Sequence, residues 1–188
     1  SALELLVEEP VLPVLEVGAD LELLLGDSIR LRVQTNADDA LISWSPDVVC
    51  LDSTCLEVIV RPVATTLYTL ELIDGAGCTA SDDIQVLVDR NRTTFAPTAF
   101  SPNGDGTNDR FTVYGDAGVV SVSDLGIYDR WGNQVFFRTE LPLNDESAGW
   151  DGKANSRILN PAVFVYQYRI NWIDGREEIV TGEVTLIR

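Results

Sequence analysis

The densest pattern of oxygen ligands in the sequence lies at residues 100–111, Phe-Ser-Pro-Asn-Gly-Asp-Gly-Thr-Asn-Asp-Arg-Phe. Four oxygen donors there could surround a hard cation such as calcium: Asn103, Asp105, Asp109 and the backbone carbonyl of Thr107. Asn, Asp and Gly also build consecutive side-chain-capped turns without an ion, and the bidentate Glu of a helix-flanked calcium loop is missing. The sequence therefore predicts either a calcium loop or a series of ion-free turns.

Side chains that commonly perform catalysis are scarce. The sequence contains no His, which removes the usual general base, the usual partner of Ser and Cys nucleophiles and the commonest metal ligand. Lys153 is the sole lysine and lies in a polar turn, where a solvated amine is expected rather than a Schiff-base nucleophile. No pattern selects a catalytic pair among the 30 carboxylates. We therefore expect no enzymatic activity and no cofactor beyond the candidate calcium ion.

The three cysteines lack the paired spacing of zinc sites. Cys50 and Cys55 flank a short polar loop, which favours a local disulfide in an oxidising compartment and leaves Cys78 over. A bridge between Cys50 and Cys78 is the alternative.

The net charge of −17 and the pI near 4.1 argue against binding to nucleic acids or anionic lipids, which attract clustered Lys and Arg. The apolar segments are short and interrupted, so no membrane-spanning helix is predicted. The chain contains no Met and starts at Ser1, and we therefore expect it to be part of a longer protein.

The first half of the chain shows the period-two alternation of apolar residues that half-buried strands require. Predicted strands cover residues 21–25, 29–35, 41–45, 56–60, 67–73 and 84–88. Turn signals such as Gly26-Asp27 separate them, as in an immunoglobulin-like sandwich. Trp44 is predicted to fill its core, with a sugar platform as the alternative. Residues 3–17 are acidic and apolar with two prolines, which favours an edge strand and a linker.

The second half continues the same alternation. Predicted strands cover residues 111–114, 122–128, 134–138, 163–172 and 179–187. Asp174-Gly175 predicts a tight hairpin turn between the last two strands, and the final strand is expected to belong to the sheet. The chain is therefore predicted to be all-β. The polar stretch around Asp89–Arg92 indicates a domain boundary, which predicts two tandem immunoglobulin-like β-sandwich domains at residues 1–91 and 92–188.

Three motifs and the C-terminal residues together resemble the type B gliding-motility-associated C-terminal domain. The motifs are residues 100–111, residues 127–136 (Ile-Tyr-Asp-Arg-Trp-Gly-Asn-Gln-Val-Phe) and residues 149–153 (Gly-Trp-Asp-Gly-Lys). Gly182 followed by a strand that closes on Leu-Ile-Arg matches the usual ending, whereas Ala162 stands where the family usually has Gly. The resemblance covers residues 93–188. The first half is similar to the immunoglobulin-like or PKD-like repeats that precede such domains in long adhesins.

The resemblance implies a non-catalytic export signal of the type IX secretion system of Bacteroidota. It would direct a large surface protein or adhesin across the outer membrane, to be held at the cell surface or released. The implied partners are the type IX translocon and an outer-membrane β-barrel protein of the PorP/SprF type. Contact with the membrane would occur only through these protein partners.

A surface that binds such partners should combine exposed aromatic side chains with arginines. Four residues of the matched half fit this description: Arg130, Trp131, Trp150 and Arg188. Core packing is the alternative for both tryptophans. Asp129, Gly132 and Asn133 are expected to shape a hairpin turn. The alternative function is a carbohydrate-binding or adhesive module in which Trp131, Trp150 and Trp172 form a stacking platform.

Overall fold

Strands with alternating burial form most of the regular structure of residues 11–188, the part of the chain that the computed structural model describes. The alternation places every second side chain on the buried face of a sheet, as the period of the sequence predicts. Of the edge strand and linker predicted at residues 3–17, residues 3–10 lie outside the described part. The remainder includes the short strand Leu15–Glu16.

Two compact units can be distinguished. One comprises Ser28–Asp89 with the residues up to Leu23, and the other comprises Arg90–Arg188 with Leu24–Asp27. No helix within residues 11–188 has the length and apolar character to cross a membrane.

From residue 11 onward, the first unit contains nine strands: β1 (Leu15–Glu16), β2 (Leu21–Leu24), β3 (Ile29–Arg32), β4 (Gln34–Thr35), β5 (Leu41–Ser45), β6 (Val49–Cys50), β7 (Glu57–Val60), β8 (Thr66–Ile73) and β9 (Thr79–Asp89). A four-stranded sheet in the order β2-β9-β8-β5 accompanies a three-stranded sheet in the order β3-β7-β6, and β1 pairs with β4. Val58, Leu70 and Val86 are fully buried. Trp44 is also buried, as predicted, and its indole N–H donates to the Cys55 carbonyl.

Two strand predictions in this unit need correction. The strand predicted at residues 29–35 is split into β3 and β4, which pair with different partners, β7 and β1. The strand predicted at residues 84–88 begins earlier, at Thr79, because β9 pairs with the whole of β8, from Thr66 opposite Val86 to Ile73 opposite Thr79. Asp74 stabilises the connecting turn by accepting the backbone N–H groups of Ala76 and Cys78.

Cys50 and Cys55 form a disulfide with an S–S distance of 2.07 Å. Cys78 is half-buried and has a free thiol.

The second unit contains nine strands and one short helix: β10 (Thr94–Phe95), β11 (Ala99–Phe100), β12 (Tyr114–Gly115), β13 (Val119–Tyr128), β14 (Gln134–Leu141), a 3₁₀ helix (Glu146–Ala148), β15 (Lys153–Ala154), β16 (Arg157–Ile158), β17 (Ala162–Trp172) and β18 (Glu177–Leu186). A five-stranded sheet runs in the order β11-β18-β17-β13-β14. The pairs β10-β12 and β15-β16 are separate two-stranded ribbons.

The last strand is paired on both sides. It runs antiparallel to β17 through the predicted Asp174-Gly175 turn, where Gly175 has a φ of 81° and the Trp172 N–H donates to the Arg176 carbonyl. On its other side it runs parallel to β11, with Thr185 opposite Ala99. The C-terminal strand is therefore an internal part of the sheet, which confirms the prediction for the end of the chain.

An aromatic cluster fills the core of the second unit. Its buried rings belong to Phe100, Phe111, Trp150, Phe164, Tyr166, Tyr168 and Trp172. The strand predicted at residues 111–114 is wrong in its first half. Phe111 instead forms an isolated antiparallel bridge with Trp150, and regular pairing begins only at Tyr114.

Candidate partner-binding site

The turn between β13 and β14 presents two of the residues predicted to bind a partner. The Asp129 carboxylate accepts hydrogen bonds from the backbone N–H groups of Trp131 and Asn133 and from the Asn133 side-chain amide, each at 2.9 Å. The Asp129 N–H donates to the Asn133 carbonyl, and Gly132 has the positive φ of 83° that the turn requires. The Asp-Arg-Trp-Gly-Asn motif therefore forms a closed turn with Arg130 and Trp131 at its tip.

The charge of Asp129 is an essential part of this turn. The Asn133 side-chain amide holds the pKa of the Asp129 carboxyl below its usual value, and the backbone N–H groups of Asn133 and Trp131 act in the same direction. Hydrogen bonds to an ionised carboxylate are stronger than those between neutral groups. Ionised Asp129 therefore fixes the backbone that carries Trp131.

Trp131 projects from the turn into solvent with 77% of its surface exposed. The Arg130 guanidinium lies over the indole at 5.5 Å from the ring centroid, a cation–π distance. An exposed indole on an ordered turn is the kind of side chain that dominates the binding energy of protein interfaces.

A groove of about 360 Å³ adjoins this turn. We call it the Trp131 groove, and its walls are formed by Arg130, Trp131, Val135, Leu159, Pro161 and Val163. Arg188 lies beside it, because its Nε donates to the Leu159 carbonyl at 3.2 Å. Arg188 thus lies next to a residue of the groove wall although it is far from Arg130 and Trp131 in the sequence.

Trp150 does not belong to this surface, and its prediction as a partner-binding residue is wrong. Its side chain is fully buried against Phe100 and Phe164, with ring centroids 5.2 and 4.9 Å away. Its indole N–H donates to the Lys153 carbonyl at 2.8 Å. Trp172 is buried as well, so Trp131, Trp150 and Trp172 cannot form the sugar-stacking platform of the alternative function.

The oxygen-rich loop at residues 100–111 uses its carboxylates to organise its own backbone. Asp109 accepts the N–H groups of Gly104 and Gly106 at 2.6 and 2.8 Å, and Asp105 accepts the N–H of Thr107 at 2.8 Å. The Gly104 N–H, followed by that of Gly106, lowers the pKa of the Asp109 carboxyl. A calcium ion at Asn103, Asp105, Thr107 and Asp109 would compete with these donors. Within residues 11–188, no group of three or more His, Cys, Asp or Glu side chains is placed to hold a metal ion.

The wall of the groove opposite Trp131 was not predicted from the sequence. Leu159 and Pro161 directly precede β17, and Val163 is its second residue. All three line the groove together with Trp131 although they are far from it in the sequence. The one local signal was the Asn160-Pro161 pair, a turn signal that carries no information about ligands. Their role depends on the pairing of β13 with β17, which brings Tyr128 opposite Val165.

The protein is all-β and consists of tandem immunoglobulin-like sandwich units. Its second unit has an exposed aromatic turn beside a groove.

Residues 94–186 match the family model of the CHU_C type IX secretion signal domain, and this part of the chain belongs to that family. The resemblance inferred from the three motifs is therefore confirmed. A domain of this family has a secretion-sorting role, which implies export and interaction with the type IX system. No curated protein matches the chain.

Several solved structures are similar to this chain at low sequence identity. The Bacteroides ovatus mixed-linkage glucan utilization locus SGBP-B, in complex with a mixed-linkage heptasaccharide, is 13% identical with a TM-score of 0.37, and the match covers 95% of this chain and 48% of that one. This chain thus spans about half the length of that protein. The dimeric latent PorU from Porphyromonas gingivalis is 10% identical (TM-score 0.34; coverage 94% and 20%). The Ig1-2 module of the Drosophila receptor tyrosine phosphatase DLAR is 11% identical (TM-score 0.35; coverage 94% and 98%).

Proposed function

We propose that the second unit is a non-catalytic signal that directs a larger surface protein or adhesin through the type IX system by presenting the Trp131 groove to an outer-membrane partner. The observation that supports this is the 77% exposure of Trp131 on a turn fixed by Asp129, within the segment that matches the secretion signal family. The partner proposed is the translocon together with a β-barrel protein of the PorP/SprF type. The exported protein is then held at the cell surface or released.

Recognition through this groove is compatible with the chemistry of the chain. The sequence offers no His for acid–base or nucleophilic catalysis. Interfaces of transient complexes commonly depend on a few Trp, Tyr and Arg side chains surrounded by less important contacts. Arg130, Trp131 and Arg188 supply such side chains around one groove.

The test is an export assay. A secreted reporter is fused upstream of the complete 188-residue chain and expressed in a Bacteroidota host with a working type IX system and in a matched strain that lacks the translocon. The reporter should reach the outside of the first strain and accumulate inside the second. Equal amounts outside both strains would refute the proposal.

A pair of variants then tests the groove itself. Trp131→Ala should lower export, because the aromatic anchor is lost. Phe95→Ala removes another exposed aromatic ring of the same unit, 60% exposed and outside the groove, and should leave export unchanged. Equal export for wild type and Trp131→Ala would remove the groove from the proposal.

A further inference from the structure

The Trp131 groove combines apolar walls with positive charge on a strongly acidic protein. The chain carries a net charge of −17, yet two guanidinium groups, those of Arg130 and Arg188, adjoin this groove. Neither forms an ion pair with a carboxylate of residues 11–188. Asp129 also lines the groove, and its ionised carboxylate accepts the hydrogen bonds of the turn and interacts electrostatically with Arg130. Two guanidinium groups against this one lining carboxylate leave an excess of positive charge at the groove.

The walls of the groove can hold a large apolar side chain. Trp131 is 77% exposed and Val163 is 46% exposed, and Leu159 and Pro161 complete an apolar lining. The volume of about 360 Å³ lies at the lower end of the range of about 300–1,000 Å³ that is common for ligand pockets. A groove of this size accommodates one or two side chains of a peptide, and Trp131 offers a flat ring for packing against an aromatic or branched residue.

We propose that the Trp131 groove binds an acidic, apolar peptide segment of a partner protein. An aromatic or branched apolar side chain packs between Trp131 and Pro161, and flanking Asp or Glu residues approach Arg130 and Arg188. This inference rests on the proposed function, since the partner is taken to be a component of the secretion machinery. The apolar anchor supplies most of the affinity, whereas the charges at the rim favour acidic partners and accelerate association.

The charge of the whole protein makes other classes of ligand less suitable. Nucleic acids and anionic membranes carry dense negative charge and would be repelled by the −17 of the chain as a whole. A short peptide segment is affected mainly by charges within about 10 Å at ordinary salt, and the two arginines at the groove outnumber Asp129, the carboxylate among its lining residues. Charge complementarity on this scale selects a peptide with a few carboxylates.

The experiment uses a library of random dodecapeptides displayed on phage and selected on the complete chain. Clones that also bind the Trp131→Ala variant are removed in each round. The expected result is enrichment of peptides in which an aromatic or branched apolar residue is flanked by Asp or Glu. Enrichment of basic or uncharged peptides, or a library in which no clone distinguishes the two proteins, would overturn the inference.

A selected peptide is then synthesised and its affinity measured by tryptophan fluorescence. Trp131 is the exposed one among the four tryptophans, so binding should shift the emission to the blue and protect it from iodide quenching. The double variant with Arg130→Gln and Arg188→Gln should bind the peptide about five- to tenfold more weakly than the wild type. Its affinity should also depend less on salt concentration. Arg176→Gln, an exposed arginine in the β17–β18 turn, is the matched control and should bind like the wild type.

Two further results separate the inference from the proposed function. Protection of Trp131 by vesicles of phosphatidylglycerol, without protection by any selected peptide, would assign the groove to a lipid surface and overturn the peptide inference. If the wild-type fusion is exported normally but no acidic peptide is selected, the inference alone fails. If the wild-type fusion is exported equally without the translocon, the proposed function fails whatever the library yields.

Discussion

The four tryptophans of this chain occupy two kinds of environment. Trp44, Trp150 and Trp172 are buried, with exposed fractions of 8%, 0% and 3%, whereas Trp131 is 77% exposed. Trp150 contacts two aromatic rings, and its indole N–H donates to a backbone carbonyl. The Trp150 indole therefore packs in the core, whereas the Trp131 indole is available for binding.

Substitution of these two tryptophans should separate stability from recognition. Trp150→Ala should lower the free energy of unfolding by about 3–5 kcal/mol, because it leaves a cavity among buried rings. Trp131→Ala should change it by no more than about 0.5 kcal/mol, because the side chain makes little contact with the fold. Urea denaturation followed by circular dichroism measures both. A large loss of stability in Trp131→Ala would show that the indole has a structural role.

The Asp129 turn should give the second unit a dependence on pH. Since the folded-state pKa of Asp129 is below the ordinary value of 3.8, the ionised turn stabilises the fold fully only above about pH 5. This contribution is lost as the pH falls through the lowered pKa. We expect the stability difference between wild type and Asp129→Asn to shrink between about pH 5 and about pH 2.

A titration of carboxyl groups by NMR gives an independent measurement of the same turn. Asn133→Ala removes the largest of the interactions that lower the pKa of Asp129, so this pKa should rise towards its ordinary value. An unchanged pKa would mean that the backbone N–H groups alone stabilise the ionised turn.

In the arrangement of strands, a glycine without a Cβ allows two segments that are distant in sequence to approach each other closely. Phe111 and Trp150 exchange backbone hydrogen bonds of 2.9 Å in both directions. A Cβ at Gly149 would overlap the Phe111 carbonyl oxygen, so a larger residue there would push the two segments apart. The Gly-Trp pair of the third motif therefore allows the bridge and places the indole in the core.

Gly182 in β18 has a similar role on the buried face of the sheet. It lies opposite Tyr166 of β17, and a Cβ at this position would overlap the tyrosine ring. The ring cannot easily move, since it stacks on Tyr168 with centroids 5.8 Å apart and contacts Phe111 at 4.9 Å. Gly182 thus makes room for the aromatic side chain of Tyr166.

Gly182→Ala should therefore destabilise the protein by about 1–3 kcal/mol through overpacking. Tyr166→Leu in the same chain should reduce this cost, and a double-mutant cycle of thermal unfolding measures the coupling. Thr181→Ala, in the same strand on the exposed face, is the control and should have a small effect. Additive effects of Gly182→Ala and Tyr166→Leu would contradict the proposed overlap.

The whole molecule contains two compact units, each with buried apolar residues of its own. Leu70 in the first unit and Leu125 in the second are both fully buried. Leu70→Ala and Leu125→Ala should each cost about 2–5 kcal/mol. We expect calorimetry to show two unfolding transitions, one lowered by each substitution. A single transition that both substitutions lower equally would indicate that the units unfold together.

The sequence by itself determined the all-β class, the hairpin at Asp174-Gly175 and the family of the second half. These properties depend on local information: period-two alternation sets which face of a strand is buried, and the Asp-Gly pair accepts the backbone angles of a tight turn. The turn around Asp129 was predictable for the same reason, because its hydrogen bonds join residues no more than four positions apart.

The tertiary structure decided which tryptophan is exposed and where a ligand can bind. Trp131 and Trp150 are both flanked by Gly and polar residues, and only long-range pairing distinguishes them: the bridge to Phe111 draws Trp150 into the core. The Trp131 groove likewise joins residues 130–135 to residues 159–163 through the pairing of β13 with β17. Such burial depends on contacts between distant segments, which no local pattern of residues encodes.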